Sequence, residues 1–227
     1  MSHGVFITGT DTEVGKTLVS QALIKAFAKH NYRVSGFKPI AAGCELTEQG
    51  LVNEDALALQ KASNVELSYA EVNPFALLLP TSPHIAAKRE SATIDFEQLD
   101  ISLGLHKLKS DIVVVEGAGG WKVPVSDSEF LSTWVKLQKL PIIIVVGIRL
   151  GCLNHALLTL ESIKSDGLEI VGWVANKVDP YFGCYDENVS FLERHITAPK
   201  LAEIPYLSAS EMIKAEQYID LSLLKLE

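Results

Sequence analysis

Gly4-Val-Phe-Ile-Thr-Gly-Thr-Asp-Thr-Glu-Val-Gly-Lys-Thr17 passes from an apolar run through a Gly-, Thr- and Asp-rich turn into residues of helical character. Backbone N–H groups in such a turn and at a helix start converge on one point and attract an anion, so the stretch reads as a phosphate-binding loop. Lys16 would bring a mobile positive charge to the outer phosphates, and the Thr17 hydroxyl is placed to ligate Mg2+. The Gly-Lys-Thr triplet follows an expected strand and opens an expected helix, which is the context the motif requires. One spacing is unusual. Five positions before Gly15 stands Thr10 rather than Gly, and Gly9 lies one residue further back. Thr12 and Glu13, inside this longer loop, either touch a ligand or set the turn.

The 227 residues, 48% of them hydrophobic and 21% charged, describe a soluble globular chain, read as a single α/β domain over residues 1–227. A net charge of −8 speaks against nucleic acid or an anionic membrane surface as the main partner. Cys44, Cys152 and Cys184 lack metal-ligand or Cys-x-x-Cys spacing, and a reducing cytoplasm is the expected setting. No basic-then-apolar signal segment opens the sequence. The most apolar run, Leu140 to Ile148, is about half a membrane span and reads as a buried strand. The six histidines form no ligand pattern, so a zinc site is not expected.

Strands are expected at 5–8, 33–37, 111–116, 141–147, 170–175 and 201–204 from their β-branched, apolar content. Helices are expected from Leu18 to Lys29, from about residue 53 to 61, over 84–89 and 96–108, to about Lys164, over 186–195, and over 209–218. Residues 41–53 have loop character as far as that second helix start. Strands apolar on both faces and alternating with helices give a mostly parallel sheet covered by helices on both sides, in a fold like that of P-loop nucleoside triphosphatases.

Glu116 ends an apolar strand, where a carboxylate serves Mg2+ in proteins of this class or is only a polar strand terminus. The following Gly117-Ala-Gly119 lets backbone approach a ligand closely. Asp55 reads first as a helix N-cap, with a second metal-side carboxylate as the alternative. Lys38, at the end of a strand before Pro39, is a surface lysine or a cation that offsets developing negative charge. Asn176-Lys177-Val178-Asp179 matches the pattern that reads guanine in GTPases, so a GTPase switch is a competing reading. The Asp-x-x-Gly such proteins carry after their metal-side strand is here Glu116-Gly-Ala-Gly119.

Together these motifs resemble the dethiobiotin synthetase family. The matching segments are Thr8 to Thr17, Lys38-Pro39, Asn53 to Gln60, Pro80 to His84, Val115 to Trp121, Val146 to His155, Gly172 to Asn176 and Glu203 to Pro205. The longer phosphate loop is the family's own form. The resemblance implies a ligase that uses ATP, Mg2+ and CO2 (or bicarbonate) to close a cyclic urea on 7,8-diaminopelargonate, through a carbamate that ATP phosphorylates. It implies that Glu13, Val14, Gly15, Lys16, Thr17 and Leu18 wrap the triphosphate, and that Thr17, Asp55 and Glu116 hold magnesium. It places Thr12, Lys16 and Lys38 on the carbamate and γ-phosphate. Gly117, Ala118 and Gly119 follow the metal-side carboxylate, and Asn176 with Lys177, Pro205, Tyr206 and Leu207 lies near the adenine. The family acts as a homodimer, with the substrate carboxylate taken across the interface at the turn containing Leu150, Gly151 and Asn154. Two departures stand out. Ala42 occupies a place where the family commonly has a serine hydroxyl for the substrate, and Lys177-Val-Asp179 leaves the nucleotide preference open.

Overall fold

Residues 3–48 and 50–226 are described in a computed structural model of the chain. In strand β1 (His3–Gly9), Val5 and Ile7 belong to one apolar cluster and Phe6 to another on the opposite face. A strand apolar on both faces needs cover on both. Helix α1 (Lys16–Lys29) covers the first face with Val19, Leu23 and Ile24. The chain then forms β2 (Val34–Phe37), β3 (Ile40–Ala42) and a hairpin of β4 (Glu45–Thr47) and β5 (Gly50–Val52). Residues 41–53, expected as loop, therefore hold short strands. No hairpin residue is buried, so no apolar alternation marks it, and Gly50 supplies a φ of 100° at its turn.

Helix α2 (Glu54–Ala62) and the single turn α3 (Tyr69–Val72) lead to β6 (Phe75–Leu77), α4 (Pro83–Arg89) and α5 (Phe96–Lys109). Then follow β7 (Ile112–Glu116), α6 (Leu131–Leu137), β8 (Ile142–Ile148) and α7 (Cys152–Ser165). The chain closes with β9 (Ile170–Lys177), α8 (Tyr185–His195), β10 (Lys200–Ile204) and α9 (Ala209–Met212). The helix expected over 209–218 is broken: α9 is one turn, and a separate 3-10 turn spans Ala215–Tyr218. No α9 residue is buried, and so short a helix has little to hold it without packing.

Among the described residues the main sheet has six parallel strands in the order β10-β9-β8-β1-β7-β2. Leu99 and Leu103 of α5, Trp134 of α6, Leu160 of α7 and Leu192 of α8 share one cluster with Phe6, Val113 and Ile144. Residues of α1 and α2 share the other with Ile7, Val114 and Val145. From β1 the chain goes out to the edge strand β2, returns to β7, and crosses to β8 on the other side. The order thus reverses at β1, and the crevice at the carboxyl ends of β1, β7 and β8 is where such sheets bind ligands. The phosphate loop sits there.

Candidate active site

Val14 plugs the loop into the sheet. It is buried, and a Cβ at Gly9 or Gly147 would lie 2.6 or 3.0 Å from its side chain, so both neighbours must be glycine for the loop to seat this deeply. Glu13 takes a φ of 56° and Gly15 a φ of 90°, left-handed turns of the kind that build anion-binding nests of N–H groups. From beneath, the Asn176 amide donates to the Val14 carbonyl at 2.9 Å. A Cβ at Gly15 would stand 2.1 Å from that amide nitrogen. Asn176 is therefore a clamp on the loop.

Four residues expected from separate parts of the sequence meet below it. Phe37 pairs with Val115 in the parallel register, so the next residues, Lys38 and Glu116, leave adjacent strand ends side by side. The Lys38 ammonium donates to Glu116 Oε1 at 2.6 Å, to Asp55 Oδ2 at 2.9 Å and to the Gly117 carbonyl at 3.3 Å. Thr17 Oγ1 lies 2.6 Å from Asp55 Oδ1 and 3.0 Å from Glu116 Oε1. Lys38 is buried, not a surface lysine. Burial acts to lower its pKa, but Glu116 and Asp55 outweigh that and hold the ammonium above its ordinary value. Burial likewise opposes the Asp55 carboxylate, and Lys38, with the Thr17 hydroxyl, outweighs it to hold that pKa low.

Asp55 does not cap α2, contrary to the first reading of its position. Asn53 does, accepting from the Asp55 and Ala56 amides at 3.1 and 3.3 Å, which leaves the Asp55 carboxylate free to face Thr17 and Lys38. Asn53 N donates to the Tyr69 hydroxyl, which donates to Asn73, whose amide in turn donates to the Lys38 carbonyl. The short helix α3, which lacks a readable apolar period, thereby ties the Asp55 and Lys38 supports together.

The oxygens fit a hard divalent cation. One hydroxyl proton cannot serve both carboxylates that Thr17 approaches. Glu116 Oε2 is buried without a hydrogen-bond partner among the described residues, a costly position for a charged acceptor. Among those residues no group of three or more His, Cys, Asp or Glu side chains is assembled for a metal. Two carboxylates and a hydroxyl suit Mg2+, which takes few protein ligands and completes its shell with water and phosphate oxygens.

Lys16 Nζ donates to the Asp11 carbonyl at 2.9 Å. Burial first, and then the nearby Lys38 cation, bring its pKa down to about 8 despite the neighbouring carboxylates. An anion bound in the loop favours the charged amine and raises that pKa. The complex then holds more protons than the free protein from about pH 8 upward, so anion affinity falls as pH rises through that window. Calorimetric titration with ADP plus a metal chelator, in buffers of different ionisation enthalpy, should show proton uptake at about pH 8.5 that is lost at about pH 6.5. The uptake should disappear in Lys16→Met. Equal uptake in both proteins would rule out Lys16 as its source.

Thr12, Glu13, Lys16 and Lys38 line a cleft of about 380 Å³ with Ala42, Asp55, Ala118 and Gly119. Thr81, Ser82 and Lys122, to which the sequence reading gave no role, line it too. Thr81 and Ser82 lie in the family-matching segment Pro80 to His84, but nothing local in that proline-bounded stretch says that it faces the cleft. A larger cavity of about 710 Å³, lined by His3, His30, Tyr32 and Asp111, lies at the opposite end of β1 from the loop. Leu150, Gly151 and Asn154 are exposed around the start of α7 and do not line the cleft. Leu18 is half-buried in α1, and Gly117 packs under the cleft, where a Cβ would stand 2.8 Å from Phe6. Ile204 pairs with Asn176, which brings Pro205, exposed Tyr206 and buried Leu207 to that edge, and the Lys177 amine stands 5.1 Å over the Tyr185 ring.

The profile of a family described as AAA domain matches residues 3–213. The ATP-dependent dethiobiotin synthetase BioD of Vibrio cholerae is 53% identical over 97% of this chain and 96% of its own. That of Aliivibrio salmonicida is 55% identical over 97% of each. In fold, the chain resembles the septum site-determining protein MinD of Pyrococcus horikoshii, complexed with Mg-ADP, with a TM-score of 0.58 at 16% identity over 96% of this chain and 87% of that one. It likewise resembles a ParA family ATPase of Chlorobium tepidum, with a TM-score of 0.58 at 14% identity over 96% and 90% of the two chains. The fold is thus that of the P-loop nucleoside triphosphatases. At more than half identity across nearly its whole length, the chain belongs to the ATP-dependent dethiobiotin synthetase family.

Proposed function

We propose that this chain, as one α/β domain in the cytoplasm, closes the urea ring of dethiobiotin in biotin biosynthesis. One amine of 7,8-diaminopelargonate adds to CO2 and loses a proton to give a carbamate. A carbamate oxygen attacks the γ-phosphorus of ATP and ADP leaves. The second amine attacks the carbamate carbon, phosphate departs, and a cyclic urea remains. The observation that carries this reading is the shared cleft, in which Thr12 and Lys16 of the phosphate loop face the same space as the buried Lys38.

Carbamate and triphosphate repel each other, so the chemistry is chiefly alignment and charge compensation. Lys16 and Lys38 supply fixed positive charge on the two sides of the reacting oxygen, and Thr12 orients the carbamate. Residues Glu13 to Leu18 hold the triphosphate, with Gly117, Ala118 and Gly119 behind it. Thr17, Asp55 and Glu116 would hold Mg2+, which when bound neutralises phosphate charge. Asn176, Lys177, Pro205, Tyr206 and Leu207 flank the base. In a homodimer, the exposed turn at Leu150, Gly151 and Asn154 takes the carboxylate of the partner's substrate, while the diamine lies against Ala42. No helix among the described residues is long and apolar enough to cross a membrane.

A guanine-reading switch is disfavoured, because the relatives are named as ATP-dependent. The test compares nucleoside diphosphate release from ATP and GTP, with and without diamine and bicarbonate. ADP release that requires both substrates is expected; GTP hydrolysis indifferent to the diamine would contradict the proposal.

A further inference from the structure

Asp11 is an awkward residue for a phosphate loop, since a carboxylate there repels the ligand. Its contacts show why it is tolerated. Asp11 Oδ1 accepts from the Thr12 amide at 2.8 Å, while Oδ2 accepts from the Arg149 guanidinium at 2.9 Å, with His155 Nδ1 at 3.9 Å. The Asp11 carbonyl, meanwhile, accepts from Lys16. One residue thus sets the Thr12 amide, holds the phosphate lysine and receives an arginine from a different part of the chain. Arg149 follows β8 directly and precedes the exposed turn at Leu150 and Gly151. Both partners are about two-fifths exposed, so the pair adds little to global stability. Its consequence is local.

We propose that Arg149 is a positioning residue for the phosphate loop, cancelling the Asp11 charge so that this carboxylate can hold Thr12 without repelling the triphosphate. The inference rests on the reading of the loop as an ATP site. Removing Arg149 leaves the Asp11 carboxylate without its guanidinium beside the bound phosphates, with only the more distant His155 ring near Oδ2 among the described residues, whereas removing both charges does not. Asparagine is the informative replacement at Asp11, because its side-chain oxygen still accepts from the Thr12 amide.

The experiment is a double-mutant cycle on ATP affinity in the presence of Mg2+, with thermal melting as a folding control. Arg149→Met should weaken ATP binding about tenfold, and Arg149→Lys should stay within about threefold of wild type. The double variant, Asp11→Asn with Arg149→Met, should recover affinity to within about threefold of wild type despite carrying more changes. A purely structural role for Arg149 would not produce recovery by removal of the opposite charge. Wild-type affinity in Arg149→Met, or a double variant no better than that single one, overturns the inference and leaves the functional reading standing. A wild-type protein that fails to bind ATP overturns both.

Discussion

Lys38→Met should lower diamine-dependent ATP turnover by about 100- to 1000-fold, the loss typical of removing one group that stabilises transition-state charge. ATP affinity should stay within about threefold, because the triphosphate is held by the loop backbone and Lys16 rather than by Lys38. The geometry sets this division. Lys38 is buried between Asp55 and Glu116, with its ammonium at the wall of the cleft rather than within the loop. The same substitution strips the buried Glu116 carboxylate of its cation, a defect that typically costs about 3–5 kcal/mol. A lower melting temperature, partly restored by Mg2+, is therefore expected alongside the kinetic loss. Turnover unchanged at saturating ATP, with affinity lost instead, would move Lys38 from the chemistry to ground-state binding.

Glu116→Gln should raise the Mg2+ concentration needed for half-maximal turnover by about 100-fold, equivalent to about 2.7 kcal/mol. Glu116 is fully buried, its Oε2 has no hydrogen-bond partner among the described residues, and its Oε1 is shared between Lys38 and Thr17. A carboxamide fills the same space without the charge and presents a donor where an acceptor is needed. Asp55→Asn should act in the same direction but less strongly, since the Asp55 side chain is less than half exposed and water reaches it. Titration of turnover against Mg2+ at saturating ATP separates this effect from a general loss of activity. An unchanged Mg2+ requirement in Glu116→Gln would remove Glu116 from the metal site.

The central sheet was legible because β1, β7 and β8 are apolar on both faces, a pattern that only buried parallel strands require. The phosphate loop was legible because its chemistry is local: glycine, lysine and threonine act within one turn of chain. Assemblies that depend on distant partners were harder to read. Asp55 looked like a cap because a carboxylate at a helix start usually is one; only the Asn53 contacts reveal that the cap lies two residues earlier. Asn176 was read only through the base it would face; that its amide nitrogen also clamps the Val14 carbonyl is a contact between distant segments with no sequence pattern. Arg149 lay inside the family-matching segment Val146 to His155 but was given no role, because its meaning arises only when β8 delivers it to Asp11. Helix α6 was missed because seven residues with Ser132 and Thr133 among them make too short a period, although Trp134 and Val135 are buried.

The central claim is that the cleft joins ATP cleavage to ring closure. Isotopically labelled bicarbonate, supplied with ATP, Mg2+ and the diamine, tests it by mass spectrometry of the product together with ADP release. The label should enter a cyclic urea in one-to-one proportion with ADP, and no ADP should form without the diamine. ADP released in the absence of the diamine, or a product without the label, would contradict the account.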